Sequence, residues 1–240
     1  MDEKSKKELI ANNKEISRLL AENENILRRS GFQPPVQNYF VGKDDSIIIP
    51  SGYIRTSGAF WQSYHLNDIV KARNTKNNIS YALQLSDFYN FLLNRFNIWG
   101  SIEIMLFKQA TVNIVSIIEA LVLECANNIN ENCQKCPKIA NCNNNLNKYD
   151  RENMKHALEK LYQLGIIVLT NDEYMSLIYL YNLRNKIHIR LNQQNEFLDK
   201  KYNMELYNNS INLLQKVDEQ ILKNGVALYN SCMKEVETKI

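Results

Sequence analysis

The sequence predicts an all-α protein. Apolar residues recur at three- and four-residue spacing along most of the chain, and only 7 glycines and 4 prolines interrupt 240 residues. At 45% hydrophobic and 23% charged, the chain has enough apolar surface for one substantial core or two small ones, as expected of a soluble globular protein. The formal charge of +3 is small for this length, so bulk charge gives no nucleic-acid signature, and such binding would have to come from a local patch.

The first expected element is a helix over residues 3 to about 29. Leu9, Ile16, Leu20 and Leu27 fall on a heptad seam whose other positions are Asn13 and Asn23. Buried asparagines weaken such a seam while fixing its register. The segment reads equally as a dimerising coiled coil and as an amphipathic helix folded onto its own domain. Gly31, Pro34 and Pro35 end it. Residues 31–79 then form a connecting segment of different texture. Its "DSIIIPSGYIRTSG" stretch suits a short hairpin or a packed loop, and no function attaches to it.

The helical bundle is expected over residues 80–240. Ser80 is a candidate N-cap for a helix with Leu83, Leu85, Phe88, Tyr89, Leu92, Leu93 and Phe96 on one broad face. After Gly100 a second helix should run to about Glu124. Its "VNIVSIIEALVLE" is apolar nearly all round, which marks the central helix of a bundle. An Asn- and Cys-rich insertion occupies 125–147. Asp150 is then a candidate cap for a helix through Leu164, stopped by Gly165. "TNDE", Thr170 to Glu173, is a capping box opening a helix that carries Tyr174, Leu177, Ile178, Tyr181 and Leu183. Met204, Tyr207, Ile211, Leu214, Val217 and Ile221 mark a further amphipathic helix closed by Gly225, with a short last helix expected after it.

The N-terminus, MDEKSKKELIANN, mixes charges of both signs without an apolar core, unlike a secretory signal. The most apolar segment, 102–123, contains Glu103, Lys108, Gln109, Asn113 and Glu119, which suits a buried helix better than a membrane span. A cytoplasmic location without a membrane partner is the expectation.

Two groups of residues carry chemistry. Cys125, Cys133, Cys136 and Cys142 fall within eighteen residues, with seven, two and five residues between successive members. Thiolates two residues apart can face one centre and two more can complete a tetrahedral shell, so a structural zinc site is the first expectation. An iron–sulfur cluster accepts the same ligands, and free cysteines are the metal-free alternative. Disulfides are disfavoured in a reducing compartment. Cys232 stands apart.

The second group is the stretch "YLYNLRNKIHIRLNQQ", where an apolar run breaks into Arg184, Asn185, Lys186, His188 and Arg190. An imidazole, with an unperturbed pKa of about 6.5, exchanges protons near neutrality. A guanidinium binds phosphate bidentately and stabilises the charge of its transition state, while Asn185 offers neutral hydrogen bonds. Such a set can cleave an RNA phosphodiester without metal by activating the ribose 2′-hydroxyl and protonating the leaving oxygen. One histidine per chain cannot readily do both jobs, whereas two copies facing each other can. The plainer alternative is a set of cations meeting the negative end of a helix dipole. Glu119, a carboxylate inside an apolar helix, either pairs with Arg184 or Arg190 or reaches the edge of the bundle.

In "LRNKIH" the sequence resembles the HEPN superfamily (higher eukaryotes and prokaryotes nucleotide-binding domains). Leu183, Arg184, Asn185 and His188 stand where that family places an Arg, a polar residue and a His, just before the last long helix. The resemblance spans about residues 80–225. It implies a bundle of four to five helices with metal-independent endoribonuclease activity, acting on RNA as a homodimer in toxin–antitoxin or anti-phage systems, beside an antitoxin or other defence protein. It assigns catalysis to Arg184 and His188 with Asn185 in support, and Arg190 and Glu119 are accessory candidates. Three residues separate Arg184 from His188, one fewer than the family's usual minimum, a spacing that keeps both side chains on one helix face. A non-catalytic nucleotide- or protein-binding module is the alternative. "RENMKH", Arg151 to His156, matches the spacing by chance, and His65 has no local partner and reads as structural.

Overall fold

The computed structural model describes residues 1–31, 48, 51–134, 153–185 and 201–225. All regular structure among them is helical, with no strand, in agreement with the all-α expectation. The chain divides into two units, Met1–Ile49 and Pro50–Ile240.

The first unit holds α1 (Glu3–Arg29), opened by Asp2, whose carboxylate accepts the Ser5 N–H at 2.8 Å. No residue of α1 is buried, and Leu9, Ile16 and Leu20 of the expected seam are exposed together with Leu19 and Ile26.

The second unit begins with a 3-10 turn (Ser51–Tyr53) and the short helices α2 (Ser57–Ser63) and α3 (Leu66–Ile69). Thr56 caps α2 by accepting the Ala59 N–H. The described part of the expected hairpin region is therefore turn and helix. Phe60, Leu66, Ile69 and Val70 from this region belong to the core, so the bundle starts before residue 80.

The helix α4 runs Arg73–Arg95, seven residues earlier than Ser80. Ser80 is a fully buried mid-helix residue whose hydroxyl donates to the Lys76 carbonyl at 2.8 Å, and this local bond takes the place of the expected cap. The earlier turns, "RNTKNN", are polar and lack the periodicity that marked the rest.

At the centre is α5 (Gly100–Gln134), packed against α4, α6, α7 and α8. Ile114, Val115, Ile117, Ile118, Leu121 and Val122 are buried on it, each contributing about 1.5–3 kcal/mol if a side chain of that size is fully withdrawn from water. Its Asn113 amide donates to the Ala82 carbonyl and Ser86 hydroxyl of α4, at 2.7 and 2.8 Å. By length and composition α5 is apolar enough to cross a membrane, and most of its most apolar window is buried inside the bundle. It continues ten residues past Glu124, through "CANNINENCQ", a stretch the sequence had assigned to the insertion.

The helix α6 (Met154–Gln163) is capped by Asn153, and Asp150 lies outside the described residues. It stops as expected at Gly165 (φ 68°), where the Ile166 N–H reaches the Leu161 carbonyl at 2.9 Å and the Gly165 N–H that of Tyr162 at 3.0 Å, satisfying two terminal carbonyls. The capping box of α7 (Asn171–Asn185) is reciprocal: Thr170 N–H donates to the Glu173 carboxylate at 2.8 Å, and Glu173 N–H to the Thr170 hydroxyl at 3.2 Å. The last described helix, α8 (Met204–Gln220), passes into a π turn (Ile221–Gly225). Lys216 of α8 grips Glu173 at 2.6 Å, and Gln220 exchanges hydrogen bonds with Val168 N–H and C=O at 2.7 and 2.8 Å. These contacts fix where α7 starts, and hence where its far end emerges.

Candidate functional site: an arginine clamped at the end of α7

Arg184 and Asn185 are the last two residues of α7. The capping box sets the helix phase, and buried Leu177 and Leu180 turn it so that Arg184 faces α5. There the Arg184 Nη2 group meets the Glu119 Oε2 at 2.8 Å, with the two side chains 34% and 14% exposed. Arg184 Nη1 donates to the Asn185 Oδ1 at 3.1 Å. The structure thus resolves the open question about Glu119 in favour of pairing with Arg184. Burial pushes the Glu119 carboxyl above its usual range, and the Arg184 guanidinium pulls it back.

An arginine held this way is preorganised: its long side chain has surrendered rotamer freedom before any ligand arrives, and it stays partly open to solvent. His188 and Arg190 lie outside the described residues. His156 is exposed at the start of α6, where its backbone N–H serves the Asn153 cap at 3.4 Å, and Arg151 of the chance match is outside the described residues.

The cysteine set is altered by the length of α5. Cys125 is a free thiol in the core, pushed up to about 12 by burial, and a Cβ added at Gly225 would lie 3.6 Å from its sulfur. Cys133 is on the same continuous helix. Eight residues at a rise of 1.5 Å separate their Cα atoms by about 12 Å, whereas two thiolates on one zinc, at about 2.3 Å each, lie within about 4 Å of one another. Two cysteine side chains do not close that gap along one helix. Cys125 therefore does not fit the four-cysteine shell expected from sequence. The Cys133 side chain, Cys136, Cys142 and Cys232 are outside the described residues, and among the described residues no group of three or more His, Cys, Asp or Glu side chains is placed to hold a metal ion.

His65, read from sequence as a structural residue without a local partner, stands with Nδ1 3.3 Å from the Asp218 Oδ2 of α8. No local signal announces a pairing across 153 positions.

Taken together, the fold and these contacts define a helical bundle with an acid-clamped arginine at the edge of its central helix. No family model matches the chain, and no curated protein or solved structure matches it.

Proposed function

We propose that the protein is a HEPN-like RNA-binding endoribonuclease that works without a catalytic metal, with Arg184 as the phosphate-binding cation. The observation that carries this reading is the Glu119–Arg184–Asn185 arrangement: the arginine of the "LRNKIH" stretch is fixed by a half-buried carboxylate at the end of a capped helix, and not splayed among the surface cations. In the mechanism we infer, the guanidinium holds a backbone phosphate and stabilises its added negative charge. His188 moves the proton of the ribose 2′-hydroxyl or of the leaving oxygen. A second copy supplies the other imidazole, so the working form is a homodimer in the cytoplasm, in the setting of toxin–antitoxin or anti-phage proteins with a partner that restrains it. Glu119 positions Arg184, and Arg190 adds charge for RNA.

A second reading has its own support. Arg184 already bonds to two side chains, as an arginine does when it only fastens α7 to α5, and the chain would then be a non-catalytic interaction module. A structural metal, where present, would use Cys133, Cys136 and Cys142 without Cys125, and zinc analysis of the purified protein tests this. Cleavage of single-stranded RNA in EDTA separates the two readings. The nuclease reading expects cutting that disappears in His188→Ala while fold and association state persist. Equal cutting by His188→Ala would assign the activity elsewhere, and RNA or protein binding without cutting would favour the module.

A further inference from the structure

We propose that the outer face of the α4–α5 hairpin is a self-association surface that takes a second copy of this chain. On α4, Tyr81, Leu85, Phe88, Leu92 and Phe96 recur at three- and four-residue spacing and so share one side of the helix. The core takes the opposite side, through Ile79, Leu83 and Ser86. Tyr81, Leu85 and Phe96 are exposed, and Phe88 and Leu92 are only partly buried. The first turns of α5 repeat the pattern. Ile102, Met105, Gln109 and Val112 lie along one side, with Ile102 and Met105 exposed.

The Asn113 contact sets the register of the hairpin. Its amide meets Ala82 and Ser86 of α4, and both helices rise about 1.5 Å per residue, so counting away from that contact brings Leu85 level with Val112 and Phe96 level with Ile102. The two stripes therefore lie side by side as one face, which Trp99, 77% exposed in the connection, extends. Tyr81, Leu85, Phe96, Trp99, Ile102 and Met105 alone offer on the order of 600 Å² of mostly apolar area, the upper end of what single chains leave bare and close to the roughly 800 Å² that one partner gives to a standard interface.

The chemistry of the face selects its occupant. No position of either stripe is charged. The neighbouring charges of α4 are engaged to one side: Asp87 holds Arg55 at 2.7 Å, and Arg95 lies over the Tyr53 ring at 5.2 Å. A face without cations has no grip on a phosphate backbone, which argues against RNA as its ligand. Two copies related by a two-fold axis can lay this face against itself with no like charges meeting. Its Tyr, Trp, Phe and Met residues are also those that interface cores favour. Along α5 the face leads to the candidate site, because Met105, Val112 and Glu119 follow one another at seven-residue intervals and Glu119 holds Arg184. A second copy is the partner that the nuclease reading already requires, and the choice of occupant rests in part on that reading.

Sedimentation equilibrium of the full chain at concentrations up to about 100 µM, enough to populate a dimer of micromolar affinity, tests the surface. The natural chain should show a two-chain mass. Leu85→Lys with Ile102→Lys should weaken association at least about 100-fold, since the new charges repeat across the two-fold axis, while helix content and the low-concentration Tm hold. Trp99→Lys, at a side chain too exposed to support the fold, keeps the test intact if the double variant fails to fold. The same tryptophan reports directly: acrylamide should quench its fluorescence less as the natural chain is concentrated, and that protection should vanish in the double variant. A one-chain mass for the natural chain, or a two-chain mass that the folded variants retain, would overturn the proposal. RNA cleavage is read separately, so a dimer that meets these expectations and cuts no RNA would uphold this surface and remove the nuclease reading.

Discussion

Glu119 shows how a residue out of place in a hydrophobic pattern carries information. A carboxylate inside "SIIEALVLE" requires a partner, and the partner is Arg184 at 2.8 Å. The pair is half-buried, so its worth lies between that of exposed pairs, about 0–1 kcal/mol, and the 3–5 kcal/mol cost of breaking a fully buried one. We expect Glu119→Gln and Arg184→Met each to destabilise by about 1–2 kcal/mol, with the double variant costing clearly less than their sum, as measured in a denaturant double-mutant cycle. Additive costs would mean that the two side chains do not support one another. Linkage gives a second test. Glu119 is raised chiefly by burial and lowered by Arg184, so removing the arginine should raise it further. Arg184→Met should then be most stable in mild acid and lose stability as pH rises through the Glu119 titration, more steeply than the natural chain. The location of Glu119 was legible in the sequence; its choice of Arg184 was not, because only the packing of α7 on α5 decides which cation arrives. His65 was less legible still, since Asp218 lies 153 positions away and neither residue is unusual in its local pattern.

At the scale of elements, signals with a stereochemical cause were readable. The TNDE capping box, the Gly165 stop and the all-round apolar centre of α5 appear where the sequence put them. The failures share a cause: α2, α3, the first turns of α4 and the last turns of α5 are either too short for a period or too rich in polar residues to display one. The extension of α5 has a chemical consequence, because it places Cys125 in the core. We expect Cys125 to resist iodoacetamide in the native protein and to react only on unfolding, as read by mass spectrometry, since the thiol is both buried and far from its thiolate form at neutral pH. Labelling at native rates comparable to a surface cysteine would contradict its placement. Metal content, if any, should be unchanged in Cys125→Ala. The helix α1 is the converse case. It is 27 residues long, buries nothing, and carries a stripe of exposed Leu and Ile. Isolated helices are weak in water, and if α1 pairs with a second copy, Ile16→Lys with Leu20→Lys should lower the sedimentation mass toward one chain without disturbing the bundle. A mass that does not respond would remove α1 from the interface.

For the molecule as a whole, the bundle was legible because its helices are amphipathic, whereas the function we propose rests on one stretch of sequence. The fold supplies a rigid platform: α8 fixes the start of α7 through Lys216 and Glu173, and α5 fixes its end through Glu119 and Arg184. Ribonuclease chemistry at that end makes a demand that binding does not, since the 2′-hydroxyl must be the attacking group. The most direct measurement is therefore the cleavage, in EDTA, of one RNA sequence and of its fully 2′-deoxy counterpart by the natural chain and by Arg184→Ala. We expect the natural chain to cut only the RNA, leaving 2′,3′-cyclic phosphate ends, and Arg184→Ala to be slowed at least about 100-fold, in keeping with the loss of a transition-state charge contact. Cutting of the deoxy strand, or unchanged cutting by Arg184→Ala, would contradict the assignment of this site.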